Sequence, residues 1–219
     1  MKKFKKALKW FFESFIWLGL LLLIIDIVTK NVIVLNAAAG NIPPNGGVVL
    51  IPNFLRVSYV INTNVAFGAG FDNPIANRII FIIVALLISA LVIGYLVKNK
   101  FKTRRLYKAI AFMVIAGALG NAIDRIFFTS EYLSNAYYTF PNPGVVDWID
   151  FYGIWQFNFN IADCCVVIAA FMLVISLIVD VIKEHKENKK KEPVVVEKKI
   201  SKTEKETQEL REQERSASR

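Results

Sequence analysis

Four long runs of apolar residues alternate with polar and charged segments along the chain. The runs cover residues 10–35, 75–97, 106–128 and 161–182. Each run is close to or above the roughly 20 residues that a helix needs to cross about 30 Å of hydrocarbon. The pattern predicts an all-α integral membrane protein with four transmembrane helices and argues against a soluble globular domain.

The basic residues are sorted by segment, which predicts the topology. Of the 27 Lys and Arg residues, five fall in residues 1–9, six in 98–108 and twelve in 183–219. Cytoplasmic segments of membrane proteins carry the excess of Lys and Arg. We therefore expect cytoplasmic N- and C-termini, with residues 36–74 and 129–160 facing outward.

The first outward segment contains short β-branched stretches bounded by Gly, Pro and Asn. These stretches lie at residues 47–51 and 54–61, and such runs are typical of strands. The prediction is therefore four transmembrane helices with a small extracytoplasmic β-rich loop region.

The N-terminus also has features of a signal peptide. Lysines precede the first apolar run, and the small residues 37–40 follow it. The run is nevertheless longer than the usual apolar region of about 7–15 residues, and it contains Asp26 and Lys30. We expect it to be retained as the first span.

The end of the chain is dominated by charge. Residues 183–219 hold twelve basic and nine acidic residues and hardly any apolar ones. Such a composition cannot bury a core. We therefore expect a four-span membrane domain at 1–183 and a charged cytoplasmic tail at 184–219, disordered or a solvated helix, with lipid headgroup binding as a secondary role.

The net charge of +9 does not predict nucleic-acid binding, because the basic residues sort by membrane side and form no patch interleaved with aromatics.

Composition excludes several kinds of chemistry. The only histidine is His185, which lies in the charged tail, and the only cysteines are the adjacent Cys164 and Cys165. A zinc site of the usual spacing and a Ser-His or Cys-His nucleophile are therefore not expected. We predict no metal and no cofactor, and we interpret the cysteines as small core side chains.

Ionisable groups within the spans need a partner or a purpose, because a charge in hydrocarbon costs about 2.5–3.5 kcal/mol. Asp26 and Lys30 stand four residues apart in the first span, on one helix face. One interpretation is a self-neutralising pair near the outer boundary, with Lys30 reaching toward the surface. The other is that the pair belongs to a functional site.

The third span ends in a polar face preceded by two small residues. Asn121, Asp124 and Arg125 share one side of the helix, and Gly117 and Gly120 permit close helix packing. This face either joins the spans together or contributes to a site.

Further polar residues follow in the outward segments, and two aspartates among them could do chemistry. Asp147 lies in the second segment, whereas Asn160 and Asp163 begin the fourth span, where they resemble a capping box. With Asn62 of the first segment they form a polar cluster at one membrane depth. Two aspartates in close contact cannot both ionise, so one could act as a base on water while Asp147 or Asp163, whichever is protonated, donates to a carbonyl.

Four segments resemble, in chain order, the motifs of the lipoprotein signal peptidases (signal peptidase II), bacterial membrane aspartyl endopeptidases. The segments are residues 26–30, 117–125, 145–149 and 159–163. They are similar to the family patterns Asp-x-x-Thr-Lys, Gly-x-x-Gly-Asn-x-x-Asp-Arg, Val-Val-Asp-Phe-Ile and Phe-Asn-x-Ala-Asp. The resemblance covers most of residues 20–180.

The resemblance implies a function and a set of roles. The substrate would be a diacylglyceryl-modified prolipoprotein in the cell membrane, cut on the N-terminal side of the lipidated cysteine by an active site at the outer face, and globomycin would inhibit the reaction. Membrane lipid would be a further partner, and a monomer is favoured. Asp147 and Asp163 would be the catalytic dyad, and the supporting or substrate-binding residues would be Asp26, Asn62, Asn121, Asp124, Arg125 and Asn160.

The sequence departs from the family pattern at three places. Asn64 stands where glycine is usual, an aromatic insertion occupies residues 127–144, and the tail after residue 183 is long. Asn tolerates the left-handed conformation better than most residues, so the turn at Asn64 is expected to survive. The insertion is expected near the lipid headgroups, where it would reshape access to the dyad.

Two functions of other classes remain open from the residues alone. In a transporter or proton-conducting protein, Asp26, Asp124 and Asp163 would relay protons across the membrane. In a structural adaptor, Gly117 and Gly120 would pack helices and the tail would bind cytoplasmic partners.

Overall fold

The computed structural model of the chain describes residues 2–44, 46–63 and 73–186. The chain divides into two compact units, Met1–Met172 and Leu173–Arg219. Asn64 and nearly all of the charged tail lie outside the described residues. In chain order the elements are α1 (Lys2–Ser14), α2 (Ile16–Ala38), β1 (Val48–Ile51), β2 (Leu55–Asn62), α3 (Pro74–Lys98), α4 (Arg105–Phe127), α5 (Ser130–Leu133), β3 (Val145–Asp150), β4 (Asn158–Phe159) and α6 (Ile161–Lys186).

Four helices are long and apolar enough to cross a membrane. They are α2, α3, α4 and α6, with lengths of 23, 25, 23 and 26 residues. The prediction of a multi-pass membrane protein with four spans is therefore confirmed. Helix α3 shows how one span begins: the Asn73 side chain accepts hydrogen bonds from the backbone N–H groups of Ile75 and Ala76, and Pro74 opens the helix.

The first span starts later than the apolar run suggested. The predicted run from residue 10 is interrupted at Phe15, whose φ of 67° is left-handed, so α1 is a separate helix and α2 begins at Ile16. The Ser14 hydroxyl donates to the Phe11 carbonyl at 2.8 Å and accepts from the Ile16 N–H at 3.3 Å. These bonds satisfy backbone groups that the interruption would otherwise leave without a partner.

The strands form one antiparallel sheet in the order β1-β2-β3-β4. Strands β1 and β2 come from the first loop, as predicted, but β3 and β4 come from the segment between α4 and α6. The term all-α is therefore too narrow for this fold. Strand β3 alternates in the usual way: Val146 is fully buried in a core with Tyr59 and Leu133, whereas Asp147 points to the other face.

Small residues bring the helices into close contact. A Cβ atom on Gly117 would lie 2.5 Å from the carbonyl oxygen of Ala162, and one on Gly120 would lie 2.5 Å from Oδ2 of Asp26. Helix α4 thus packs against α2 and the first turn of α6 at backbone distance, as expected for helix association in lipid.

The aromatic insertion packs on the sheet and on the end of α2. The hydroxyl of Tyr59 donates to the Leu133 carbonyl at 2.6 Å, and its ring meets Tyr138 and Phe140 edge to face. The hydroxyl of Tyr132 donates to Oδ1 of Asn31 at 2.6 Å. The insertion therefore braces the end of the molecule where β3 meets the helices.

Candidate active site

The polar residues predicted for the site come together where β2 and β3 meet the C-terminal half of α2, the end of α4 and the start of α6. Asp147, on β3, is almost completely buried, with 2% of its surface exposed. The sheet register places Asn62 opposite Val145, so Asn62 and Asp147 lie two positions apart on the same face. The Asn62 amide accordingly donates to Oδ2 of Asp147 at 3.0 Å.

Asn160 connects the two candidate catalytic carboxylates. Its side-chain amide donates to Oδ1 of Asp147 at 2.7 Å, and its backbone N–H donates to Oδ2 of Asp163 at 3.2 Å. In return its side-chain oxygen accepts from the Asp163 N–H at 2.9 Å. This reciprocal pair is the capping box expected from the sequence. Asn160 therefore caps α6 and also contacts both carboxylates, so its interpretation as a helix cap does not exclude its interpretation as a site residue.

Asn121 of α4 holds Asp163 from the other side. Its amide donates to Oδ1 of Asp163 at 2.8 Å. Its oxygen accepts from the amide of Asn160 at 3.1 Å and from Nζ of Lys30 at 3.0 Å. Because two donors occupy the side-chain oxygen of Asn121, its NH₂ group is the one that faces Asp163.

Of the two interpretations of the Asp26–Lys30 pair, the one in which Lys30 reaches toward the surface is wrong. Its pairing with Asp26 is confirmed at 2.7 Å, but the lysine is 0% exposed and does not reach toward a surface. Nζ also contacts Oδ2 of Asp124 at 3.0 Å, besides Asn121. A second acid at the same depth, Asp124, was the signal that could have indicated an inward-facing lysine.

Asp26 and Asp124 each use a second contact to fix a neighbouring element. Oδ1 of Asp26 accepts from the backbone N–H of Ala162 at 2.8 Å, in the first turn of α6. Oδ2 of Asp124 accepts from the N–H of Val146 at 3.1 Å, the residue before Asp147. The buried ion cluster, defined here as Asp26, Lys30 and Asp124, thereby holds both elements that carry the candidate dyad.

Arg125 lies beside this cluster and is also buried. Its Nη1 donates to the backbone carbonyl of Asn121 at 3.1 Å, and its guanidinium lies 5.2 Å from the centre of the Phe81 ring. Its charge acts on both Asp147 and Asp163, so it is a cation close to the two carboxylates.

The environment of Asp147 makes its carboxyl group hold a proton to a higher pH than an ordinary aspartate does. Burial, with a smaller contribution from the charge of Asp163, raises the pKa of Asp147 to about 7, although hydrogen bonds from Asn62 and Asn160 oppose the shift. One carboxyl can therefore hold a proton while its neighbour is ionised. Among the residues that the structure describes, no group of three or more His, Cys, Asp or Glu side chains could hold a metal ion. The arrangement offers acid–base chemistry between two carboxyl groups.

Comparison with known proteins agrees with this geometry. The sequence model of the family described as Signal peptidase (SPase) II matches residues 18–179. The chain belongs to the signal peptidase II family.

Individual relatives support the same assignment. The lipoprotein signal peptidase of Fusobacterium nucleatum is 36% identical over 162 residues, covering 74% of this chain and 84% of that protein. The lipoprotein signal peptidase of Haemophilus influenzae is 33% identical over 164 residues, with 74% and 84% coverage. A bacterial membrane enzyme solved by the in meso method has a TM-score of 0.58 and 26% identity, covering 76% of this chain and 88% of that one.

Family membership makes the chain a peptidase and decides against the transporter and the adaptor. The geometry agrees, because the aspartates proposed for a proton relay gather at one site. Asp26 and Asp124 share Lys30, and Asp163 is one hydrogen bond from Asn121, which also contacts that lysine.

Proposed function

We propose that this peptidase removes the signal peptide from diacylglyceryl-modified prolipoproteins, with Asp147 and Asp163 as its catalytic dyad. The observation that carries the assignment is the sharing of Asn160, whose amide and backbone N–H donate to one carboxylate each. Two aspartates joined through one residue, in a chain of this family, support joint action of the pair on one peptide bond. Membership of the family supports the substrate class.

In the proposed reaction the ionised aspartate removes a proton from water as the water oxygen attacks the scissile carbonyl carbon. The protonated aspartate donates a hydrogen bond to the carbonyl oxygen and stabilises the charge that develops there. The proton that the first aspartate took from water then passes to the leaving nitrogen, and the C–N bond breaks. Burial raises the pKa of the Asp147 carboxyl group, which supports a dyad in which one of the two aspartates holds a proton before water attacks.

The supporting residues orient these groups and balance their charge. Asn62, Asn121 and Asn160 donate to the carboxylates, so each carboxylate is held in one orientation. The buried ion cluster fixes the backbone of β3 and α6 beside them. Arg125 reduces the electrostatic cost of placing two carboxyl groups together.

The scissile bond of such a substrate lies next to the lipidated cysteine, while the signal helix and both acyl chains remain in the bilayer. The site matches that depth, because its residues lie at the ends of spans and on the adjoining sheet. We propose that this end faces outward and that both termini and the charged tail from 184 are cytoplasmic, following the basic residues of segments 1–9 and 98–108. We further propose that the enzyme acts as a monomer in contact with membrane lipid.

The test is cleavage of a purified, diacylglycerylated prolipoprotein by the detergent-solubilised enzyme, followed by gel shift. We expect the wild type to cleave and Asp147→Asn and Asp163→Asn to be inactive while keeping their unfolding temperatures within a few degrees. Asp150→Asn is the matched control, since Asp150 lies on the same strand but pairs with Arg56 away from the dyad. Cleavage by either dyad variant, or loss of cleavage in a folded Asp150→Asn, would contradict the assignment.

A further inference from the structure

Helix α1 carries an apolar face that is open to solvent among the described residues 2–44, 46–63 and 73–186. Phe4, Leu8 and Phe12 follow one another at intervals of four residues, so they lie on one side of the helix. Their exposed fractions are 71%, 46% and 53%. Water around three large side chains in a row is unfavourable, and an apolar stripe of this kind indicates a surface that contacts something else.

The polar side of α1 is basic, and Lys5 lies at its border with the apolar stripe, seven residues before Phe12. Lys5, Lys6 and Lys9 are exposed, and the one acid of the helix, Glu13, lies 3.8 Å from Lys9 with both side chains in solvent. Five lysines occur in residues 1–9. The helix is therefore amphipathic with a positive polar face, which is typical of helices that lie in the plane of a membrane interface.

Specific contacts hold the junction between α1 and the first span. The chain turns at Phe15 in the left-handed conformation, and Lys108 of α4, itself buried, donates to the carbonyl of Glu13 in the last turn of α1. A cation at this position satisfies carbonyl groups and the negative end of the helix dipole. The Trp10 ring also packs edge to face on Phe101 at 5.5 Å.

This junction fixes where α1 can be. Span α2 begins at Ile16, two residues after α1 ends, and the sheet and the active site lie at the other end of α2. Helix α1 is therefore held at the membrane boundary away from the site, beside the loop that contains Lys100 and Lys102.

We infer that α1 is an interfacial anchor that binds the anionic phospholipid surface of the bilayer. The stripe of Phe4, Leu8 and Phe12 inserts below the headgroups, and Lys5, Lys6 and Lys9 contact their phosphates. Each lysine near an anionic surface contributes about a fivefold preference, from about 1 kcal/mol per charge. This role is independent of the peptidase activity.

The first measurement tests which face of α1 is covered. The full chain is placed in bilayers containing about 30% phosphatidylglycerol, and the rate of labelling by a water-soluble maleimide is measured for Leu8→Cys and Lys6→Cys. Labelling of the unmutated protein, which carries Cys164 and Cys165, is subtracted. We expect Leu8→Cys to react at least tenfold more slowly than Lys6→Cys. Equal rates would overturn the inference.

The second measurement tests the charge of the partner surface. Adding Lys5→Glu and Lys9→Glu to the Leu8→Cys protein should raise its labelling rate at least fivefold. Adding Lys100→Glu and Lys102→Glu, an equal charge change in the neighbouring loop, should not. The inference that the partner surface is anionic would be overturned by an equal effect of the two pairs of substitutions. It would also be overturned if the labelling rate of Leu8→Cys were the same in purely zwitterionic lipid.

A protein occupant of the apolar face would behave differently. Burial by a second copy of the chain makes the protection of Leu8→Cys depend on the ratio of protein to lipid at fixed lipid composition. That dependence would overturn the lipid anchor in favour of self-association. Protection that is constant over a tenfold dilution in lipid is the expected result.

Discussion

Replacement of Lys30 by methionine tests whether the buried ion cluster supports both the fold and the site. Methionine keeps most of the side-chain length and removes the charge. The substitution leaves Asp26 and Asp124, each 1% exposed, without the cation that lies 2.7 and 3.0 Å away. It also removes one of the two donors to the oxygen of Asn121.

The expected magnitude follows from breaking a buried ion pair from one side. Removal of one partner typically costs about 3–5 kcal/mol, because the remaining charge is buried without compensation. For a chain of this size such a loss corresponds to an unfolding temperature lower by about 6–20 °C. We also expect kcat to fall by about 100-fold or more, since the Asn121 oxygen is then held by Asn160 alone and the amide that orients Asp163 is less firmly fixed.

The assay is thermal unfolding of the detergent-solubilised protein, paired with prolipoprotein cleavage at a temperature where the variant is folded. Lys102→Met is the matched control, because Lys102 is exposed in the loop before α4 and should lose neither stability nor activity. A variant that also carries Asp26→Asn and Asp124→Asn removes the uncompensated charges. It should recover most of the lost unfolding temperature.

Two results would refute this reasoning. If Lys30→Met unfolded within about 2 °C of the wild type, the lysine would not be balancing buried carboxylates. If the triple variant were less stable than Lys30→Met alone, uncompensated charge could not be the cause of the loss.

Three further predictions concern packing, orientation and pH. Gly120→Ala should lower the free energy of unfolding by about 1–3 kcal/mol, because the new Cβ would lie 2.5 Å from Oδ2 of Asp26. Gly94→Ala, where no atom of the described part of the chain lies within 4 Å of the new Cβ, should change it by less than about 1 kcal/mol, and chemical unfolding measures both. Asn160→Ala should lower the free energy of unfolding by about 1 kcal/mol, because the cap of α6 is lost, and it should lower kcat about 10- to 100-fold. An unchanged kcat would mean that Asn160 only caps the helix and does not orient the dyad. Burial raises the pKa of Asp147 to about 7 in the folded protein, whereas the unfolded chain keeps this proton only to about pH 3.9. The folded state therefore binds more protons between these values, so the unfolding temperature should fall as pH rises through this window, and cleavage should decline above about pH 7. An unfolding profile of Asp147→Asn as steep as that of the wild type would contradict the assignment of the raised pKa to Asp147.

Much of the fold could be predicted because the signals are local. The length of an apolar run sets the number of spans, and the spacing of four residues places Asp26 next to Lys30 on one helix face. The capping box at Asn160 and Asp163 is likewise a pattern of neighbouring residues, and the structure has it as expected.

The features that the sequence did not predict depend on residues far apart in the chain. Whether Lys30 points toward a surface or inward is decided by Asp124 and Asn121, about 90 residues later. Strand β3 joins the sheet through β2, and that pairing likewise spans more than 80 residues. No local period carries such information.

The break at Phe15 was missed for a different reason. No Gly or Pro marks it, and only the polar pair Glu13 and Ser14 interrupts the large apolar residues around it, so hydropathy averaged over a span-length window does not separate an interfacial helix from the span that follows. The deciding contacts come from Ser14 and from Lys108 of another helix.

The two duties of Asn160 have a consequence for inhibitor resistance. A mutation that weakens an inhibitor is useful to the cell only if the enzyme keeps its fold and its turnover. Asp, Ser or Thr at position 160 could keep the cap of α6 but would lose the amide that donates to Asp147, and most other residues would lose both contacts. A compound anchored on the Asn160 amide therefore binds a group that the enzyme cannot replace without changing a contact to its own dyad.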